Sequence, residues 1–129
     1  MLEDMILGTG IDLVEIQRIR DALARHGEAF ARRILTQAEW DYCTQHADPA
    51  PCVASRFAAK EAVSKALGCG IGPTLGWHDI EIVRLPSGQP TVRMSAEGNR
   101  QVEALGGRRI HLSISHERGH AAAIAILEN

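Results

Sequence analysis

The sequence predicts one domain that combines a long central helix with shorter helices and with strands paired as hairpins. Three observations carry that reading. The chain has 129 residues, the length of one ordinary domain. Its hydrophobic residues alternate in some stretches and recur at helical spacing in others. Near the C-terminal half, strand-like runs come in pairs separated by turn residues, which reads as hairpins. At 45% hydrophobic and 23% charged, the composition is that of a folded chain with a core. Phe, Tyr and Trp make up only 4%, so aliphatic and alanine packing must carry that core.

From the N-terminus, MILGTGIDL over 5–13 reads as a strand. Leu7, Ile11 and Leu13 take one face, and Gly8, Gly10 and Asp12 the other. Asp12 is then either an acidic strand end or a metal ligand, with room for a substrate beside it on the glycine face. A helix is expected over 15–25, with Ile16, Ile19 and Leu23 inward and Arg18, Ala22 and Arg25 on the opposite arc. After Gly27 a short helical piece carries Phe30, Ile34 and Leu35. Thr36-Gln-Ala-Glu39 matches a capping box and opens another helix, with Trp40 and Cys43 as core anchors.

Asp48-Pro-Ala-Pro51 breaks the chain before the central helix, which starts near 50–53 and ends at Gly68-Cys-Gly70-Ile-Gly72-Pro73. Past it, 77–84 reads as a strand and 91–94 as its partner across Pro86-Ser-Gly-Gln-Pro90. Ser95 is an N-cap for a helix to about 105, which Gly106-Gly107 ends. The last two strands are expected over 109–116 and 120–127, turned by Glu117-Arg-Gly119. In the first of them Ile110, Leu112 and Ile114 alternate with His111, Ser113 and Ser115, and His116 stands at the end.

The net charge of −2 argues against general nucleic-acid binding. Yet five of the 12 arginines lie between Arg18 and Arg33, so a local basic face can meet an acidic partner. Cys43, Cys52 and Cys69 have no C-x-x-C spacing and read as reduced, packed thiols. No apolar run reaches membrane-spanning length and no signal-peptide pattern opens the chain, which is the pattern of a soluble cytoplasmic protein.

The chemistry concentrates in RFAAKEAVSKALGCGIG, Arg56 to Gly72. At about 100° per residue, Arg56, Lys60, Glu61 and Lys65 share one broad face, while Ala59, Ala62 and Ala66 line a face that lets another backbone come close. Spacing alone leaves two readings equal. One is a surface helix with a Glu61–Lys65 pair. The other is an anion site whose cations and glycine loop, Gly68 and Gly70 included, admit a phosphate-rich ligand.

Three stretches in this order, GTGIDLVEIQRI, RFAAKEAVSKALGCGIG and HLSISHERGHAAAIAIL, resemble holo-acyl-carrier-protein synthase, the short form of the 4′-phosphopantetheinyl transferases. The resemblance implies an α+β fold, a compact and mostly antiparallel sheet on the central helix, and one domain spanning 1–129. It implies transfer of phosphopantetheine from coenzyme A to a serine of apo acyl carrier protein, leaving adenosine 3′,5′-bisphosphate. It assigns Mg²⁺ to Asp12 and Glu61, catalysis to Asp12, Glu61 and Lys65, and docking of the acidic carrier to Arg18 and Arg25. It also implies a homotrimer with sites between subunits.

The residue chemistry agrees, since Mg²⁺ is usually held by one or two carboxylates plus substrate phosphates. Lys60, Lys65 and Arg56 are expected to hold donor phosphates beside Gly68 and Gly70, with Ser113, Ser115 and His116 on the 3′-phosphate. The proton of the acceptor serine goes to Glu61 or to a water at the metal. The carrier belongs to fatty-acid biosynthesis or to a secondary pathway. A metal-dependent nucleotide or pyrophosphate hydrolase, or a non-enzymatic module that binds acyl carriers, stands as the alternative.

Overall fold

The structure, a computed structural model, describes residues 3–129. Ten elements follow in order: β1 (Ile6–Glu15), α1 (Ile16–His26), α2 (Glu28–Ile34), α3 (Gln37–Cys43), α4 (Ala50–Ala66), β2 (Ile80–Arg84), β3 (Pro90–Met94), α5 (Ala96–Ala104), β4 (Arg109–His116) and β5 (His120–Glu128). The α+β expectation holds, with every pairing antiparallel. The strands form two sheets rather than one. β1-β5-β4 is three-stranded and β2-β3 is a separate hairpin.

Local chemistry explains the boundaries. The Thr36 hydroxyl accepts from the Glu39 amide at 3.3 Å, and the Glu39 carboxylate accepts from the Thr36 amide at 2.8 Å, which is the expected capping box of α3. Ser95 caps α5 by accepting from the Gly98 amide at 3.0 Å. Gly68 closes α4 with φ 78, a conformation that favours glycine. Trp77–Asp79 differs from expectation. It is one 3₁₀ turn, and the strand begins only at Ile80. The Asp79 carboxylate accepts from the Gly76 amide at 2.8 Å and holds that turn closed.

α4 lies across one face of the three-stranded sheet and is buried on most sides; Val53, Ala58, Ala59, Ala62 and Val63 are fully enclosed. The approach is unusually close. A Cβ on Gly8 would stand 2.0 Å from the Ala66 carbonyl oxygen, and one on Gly10 would stand 1.9 Å from that of Ala62. The alanine face therefore admits another backbone as expected. The glycine face does not leave room for a substrate, because the helix backbone fills it.

The opposite face of the sheet has nothing packed on it among the described residues. Ile11, Leu13 and Ile124 stand 66%, 67% and 41% exposed there. The expectation for the cysteines is corrected at two positions. Cys43 and Cys52 are joined in a disulfide, with Cα atoms 5.4 Å apart, because the Asp48–Pro51 turn brings the end of α3 against the start of α4. A separation of nine residues carries no signal of this in the sequence. Cys69 is free and exposed.

Candidate functional site

Two residues beyond Gly10 on the same strand face, Asp12 emerges where the sheet clears the helix. Asp12 and Glu61 line one cavity of about 400 Å³, with Arg18, Ile19, Phe30 and Phe57 around them. Lys65, one turn beyond Glu61, donates to Asp12 Oδ1 at 3.1 Å and to the Ile11 carbonyl at 3.0 Å. Of the two readings that spacing left equal, the Glu61–Lys65 surface pair is not the one formed: Lys65 pairs across elements with Asp12. Burial raises the Glu61 carboxyl above its ordinary pKa, and the Asp12 carboxylate raises it further against the opposing pull of Lys65. The cavity therefore carries two carboxylates and the Arg18 side chain, with the Lys65 ammonium bound to Asp12 beside it.

That electrostatic situation suits a hard cation. Two like charges face one space, and the repulsion between them is written into the shift of Glu61. Among the described residues no cluster of three His, Cys, Asp or Glu side chains could enclose a metal. A pair of carboxylates fits Mg²⁺, which keeps waters and substrate phosphates as its remaining ligands.

Lys60 is a correction. It does not share the face of Glu61 and Lys65 and is not free to hold a donor phosphate. Its ammonium is fully buried and donates to Glu39 Oε1 at 2.7 Å, to the Ile34 carbonyl at 2.8 Å and to the Trp77 carbonyl at 3.0 Å. Glu39 in turn accepts from the Ile82 amide at 2.8 Å. Desolvation pulls Lys60 below the usual lysine range, against the attraction of Glu39. The pair fixes α4 against α3 and β2. Lys60→Met should lower stability by about 3–5 kcal/mol in urea unfolding, because it strands a buried carboxylate. A loss below about 1 kcal/mol would mean the network does not hold the helix.

Arg56 is also buried, at 3% exposure, one turn before Lys60. It lines a second cavity of about 270 Å³ with Tyr42, His46, Arg84 and His116. Five residues at about 100° each turn Arg56 and Glu61 roughly 140° apart on α4, so the two cavities open on different sides of the helix. His116 reaches the second cavity. Ser113 and Ser115 do not. They lie on the outer sheet face, opposite Ile124 and Ala122, and alternate with the residues that face α4.

Arg18 stands at the first cavity, and Arg25 is exposed in the last turn of α1. Arg20 is tied to Asp48 at 2.7 Å. Gly68 and Gly70 adopt positive φ of 78 and 67 with open space beside them. Sequence reasoning missed Tyr42 and Arg84, since neither belongs to a motif. Their position beside Arg56 depends on how α3 and the β2-β3 hairpin meet α4.

Residues 8–125 match the family described as the 4′-phosphopantetheinyl transferase superfamily. The holo-[acyl-carrier-protein] synthase of Koribacter versatilis is 47% identical over 125 residues, covering 97% of this chain and all of that protein. The crystal structure of holo-[acyl-carrier-protein] synthase from Neisseria meningitidis superposes with a TM-score of 0.91 at 36% identity, covering 97% of this chain and 100% of that one. The Helicobacter pylori holo-[acyl-carrier-protein] synthase in complex with coenzyme A gives 0.83 at 34% identity, covering 92% and 98%.

Proposed function

The chain belongs to the 4′-phosphopantetheinyl transferase superfamily, and from that premise we propose that it moves the phosphopantetheine arm of coenzyme A to a serine hydroxyl of apo acyl carrier protein, with Mg²⁺, releasing adenosine 3′,5′-bisphosphate. The observation that carries the reading is the shared cavity of Asp12 and Glu61, with the Lys65 ammonium held on Asp12.

Asp12 and Glu61 would hold the ion, which when bound neutralises the diphosphate and polarises the phosphorus under attack. Lys65 needs little movement to offer its ammonium to the departing bisphosphate, since its side chain is 48% exposed. The acceptor serine must lose a proton. Glu61, or a water at the ion, stands in the same cavity to take that proton in our reading. Phe30, Phe57 and Ile19 wall the cavity with apolar surface and limit water, which favours transfer over hydrolysis.

The donor is held by two copies of the chain in this reading. Its diphosphate lies at Asp12 and Glu61 of one copy, and its 3′-phosphate at Arg56 and His116 of the next. Two observations support this. Arg56 and Glu61 face apart on α4, and the outer sheet face with Ile11, Leu13 and Ile124 is apolar surface suited to a second copy. A closed trimer places Ser113 and Ser115, which share that face, at the boundary between copies.

Arg18 at the cavity and Arg25 one face along α1 are the docking cations for an acidic carrier. Reversing both to Glu should raise KM for the carrier about tenfold or more and leave KM for coenzyme A near its original value. Equal changes in the two constants would remove the docking role. High salt should imitate the reversal, because exposed charges are screened. The transfer reading itself is tested by following bisphosphate release. Release that requires apo carrier supports it, and release from coenzyme A alone would instead make the chain a hydrolase.

A further inference from the structure

The second cavity is built largely on one small ring of chain. Of its nine lining residues, His46, Asp48, Pro51 and Cys52 lie in the stretch that the Cys43–Cys52 bond closes, and Tyr42 stands just before it. The two cysteines bracket Arg56. Cys43 follows Tyr42, whose ring centroid lies 4.7 Å from Arg56 Cζ, and Cys52 lies one turn of α4 before Arg56. The other ties on the ring are weak. His46 Nδ1 meets the Cys43 carbonyl at 3.3 Å, and the Ala50 amide donates to Asp48 Oδ1 at 3.2 Å, both within the ring. Among the described residues, the one side-chain hydrogen-bonded tie from 44–49 to an element other than α3 or α4 is that of Asp48 with Arg20, and both side chains reach solvent. Exposed ion pairs of this kind hold little.

The two sulfurs differ in access. Cys43 is fully buried, while Cys52 is half-buried and lines the cavity. A small thiolate entering the cavity therefore attacks Cys52, and Cys43 departs as the thiolate. Once reduced, the sulfurs need van der Waals separation where a bond now joins them. The interior around Cys43 is close-packed, so the end of α3 must yield, and Tyr42 with it. The first cavity takes none of its lining residues from this ring.

We propose that Cys43 and Cys52 form a thiol–disulfide switch that sets affinity for the donor: the closed ring holds the second cavity in its binding shape, and the open ring loosens it. The inference rests on the coenzyme A reading given above. The exchange partner is a small-molecule disulfide of the glutathione class. On closure the two cysteine thiols give up two electrons and two protons, an S–S bond forms in the chain, and the reagent's S–S bond breaks to yield two thiols. Opening is the reverse. Linkage makes the effect mutual, so a ligand that prefers the closed ring also protects its bond from reduction.

Calorimetric binding of adenosine 3′,5′-bisphosphate to the full chain, equilibrated in oxidised or in reduced glutathione, tests this without a catalytic step. Alkylation after denaturation counts the free thiols. The oxidised chain should show one, Cys69, and the reduced chain three. Reduction should weaken bisphosphate binding about tenfold, and saturating bisphosphate should shift the exchange equilibrium toward the bond by the same factor. In transfer assays reduction should raise KM for coenzyme A and leave kcat near its original value, a split that partial unfolding does not produce. Cys52→Ala should bind like the reduced chain in both buffers. Cys69→Ser should keep the full difference, which separates the switch from modification of the exposed thiol. Equal affinities in the two states, or a thiol count that does not change between the buffers, would overturn the switch while leaving the donor reading in place. No binding of the bisphosphate in either state would overturn both.

Discussion

Glu61→Gln and Asp12→Asn should each lower phosphopantetheine transfer by about 10³-fold while leaving the fold intact. The two carboxylates face one cavity, and each loses half of the charge that would hold a cation there. Stability should behave in the opposite sense for Glu61. Its carboxyl is raised by burial and by Asp12, so the neutral amide removes a repulsion rather than a support. Thermal unfolding of Glu61→Gln is therefore expected at or above the wild-type midpoint. For Asp12→Asn a small loss is expected, because the amide no longer pairs with Lys65 as a charge. Near-normal transfer by either variant would remove the metal assignment. A collapse of both midpoints would show that the pair serves the fold instead.

The second large effect is on stability. Gly10→Ala should destabilise the chain by about 3 kcal/mol in denaturant unfolding. The added Cβ would meet the Ala62 carbonyl oxygen at 1.9 Å, and both partners are backbone, which cannot swing aside. β1 must then lift from α4, and Asp12, two residues along, moves with it. Activity should consequently fall by more than the lost fraction of folded chain. Gly119→Ala is the control, because nothing lies within 4 Å of its added Cβ; its effect should stay within about 0.5 kcal/mol. Equal effects of the two substitutions would mean that the close approach does not matter.

Much of this was legible in the sequence, for reasons that particular residues make clear. Alternation found β4, because a period of two survives there, and the Glu117–Gly119 turn found β5 as its hairpin partner. The Thr36–Glu39 pattern found its capping box, because that motif is closed within four residues. Asp12 and Glu61 could be paired through the family resemblance, and the fold brings them to one cavity.

The central helix shows where pattern reading stops. Helical spacing put Arg56, Lys60, Glu61 and Lys65 on one broad face, as if that face met water. The chain instead surrounds α4, so Lys60 pairs with Glu39 in the core and Arg56 meets Tyr42, while Glu61 and Lys65 face β1. Charge on a helix predicts exposure only when a buried counter-charge is absent, and Glu39 lies 21 residues away in sequence. The glycine face misled in the same way. A strand face without side chains is compatible with a bound ligand or with a packed backbone, and only the fold says that α4 fills it. Cys43 and Cys52 carry no spacing signal, because the turn between α3 and α4 creates their proximity.

The most direct measurement is the mass of an apo acyl carrier protein after incubation with this chain, coenzyme A and Mg²⁺. The account predicts that the carrier gains one phosphopantetheine on its acceptor serine, and that the gain disappears with Glu61→Gln or when the metal is chelated. A carrier whose mass stays unchanged in the complete mixture would contradict it.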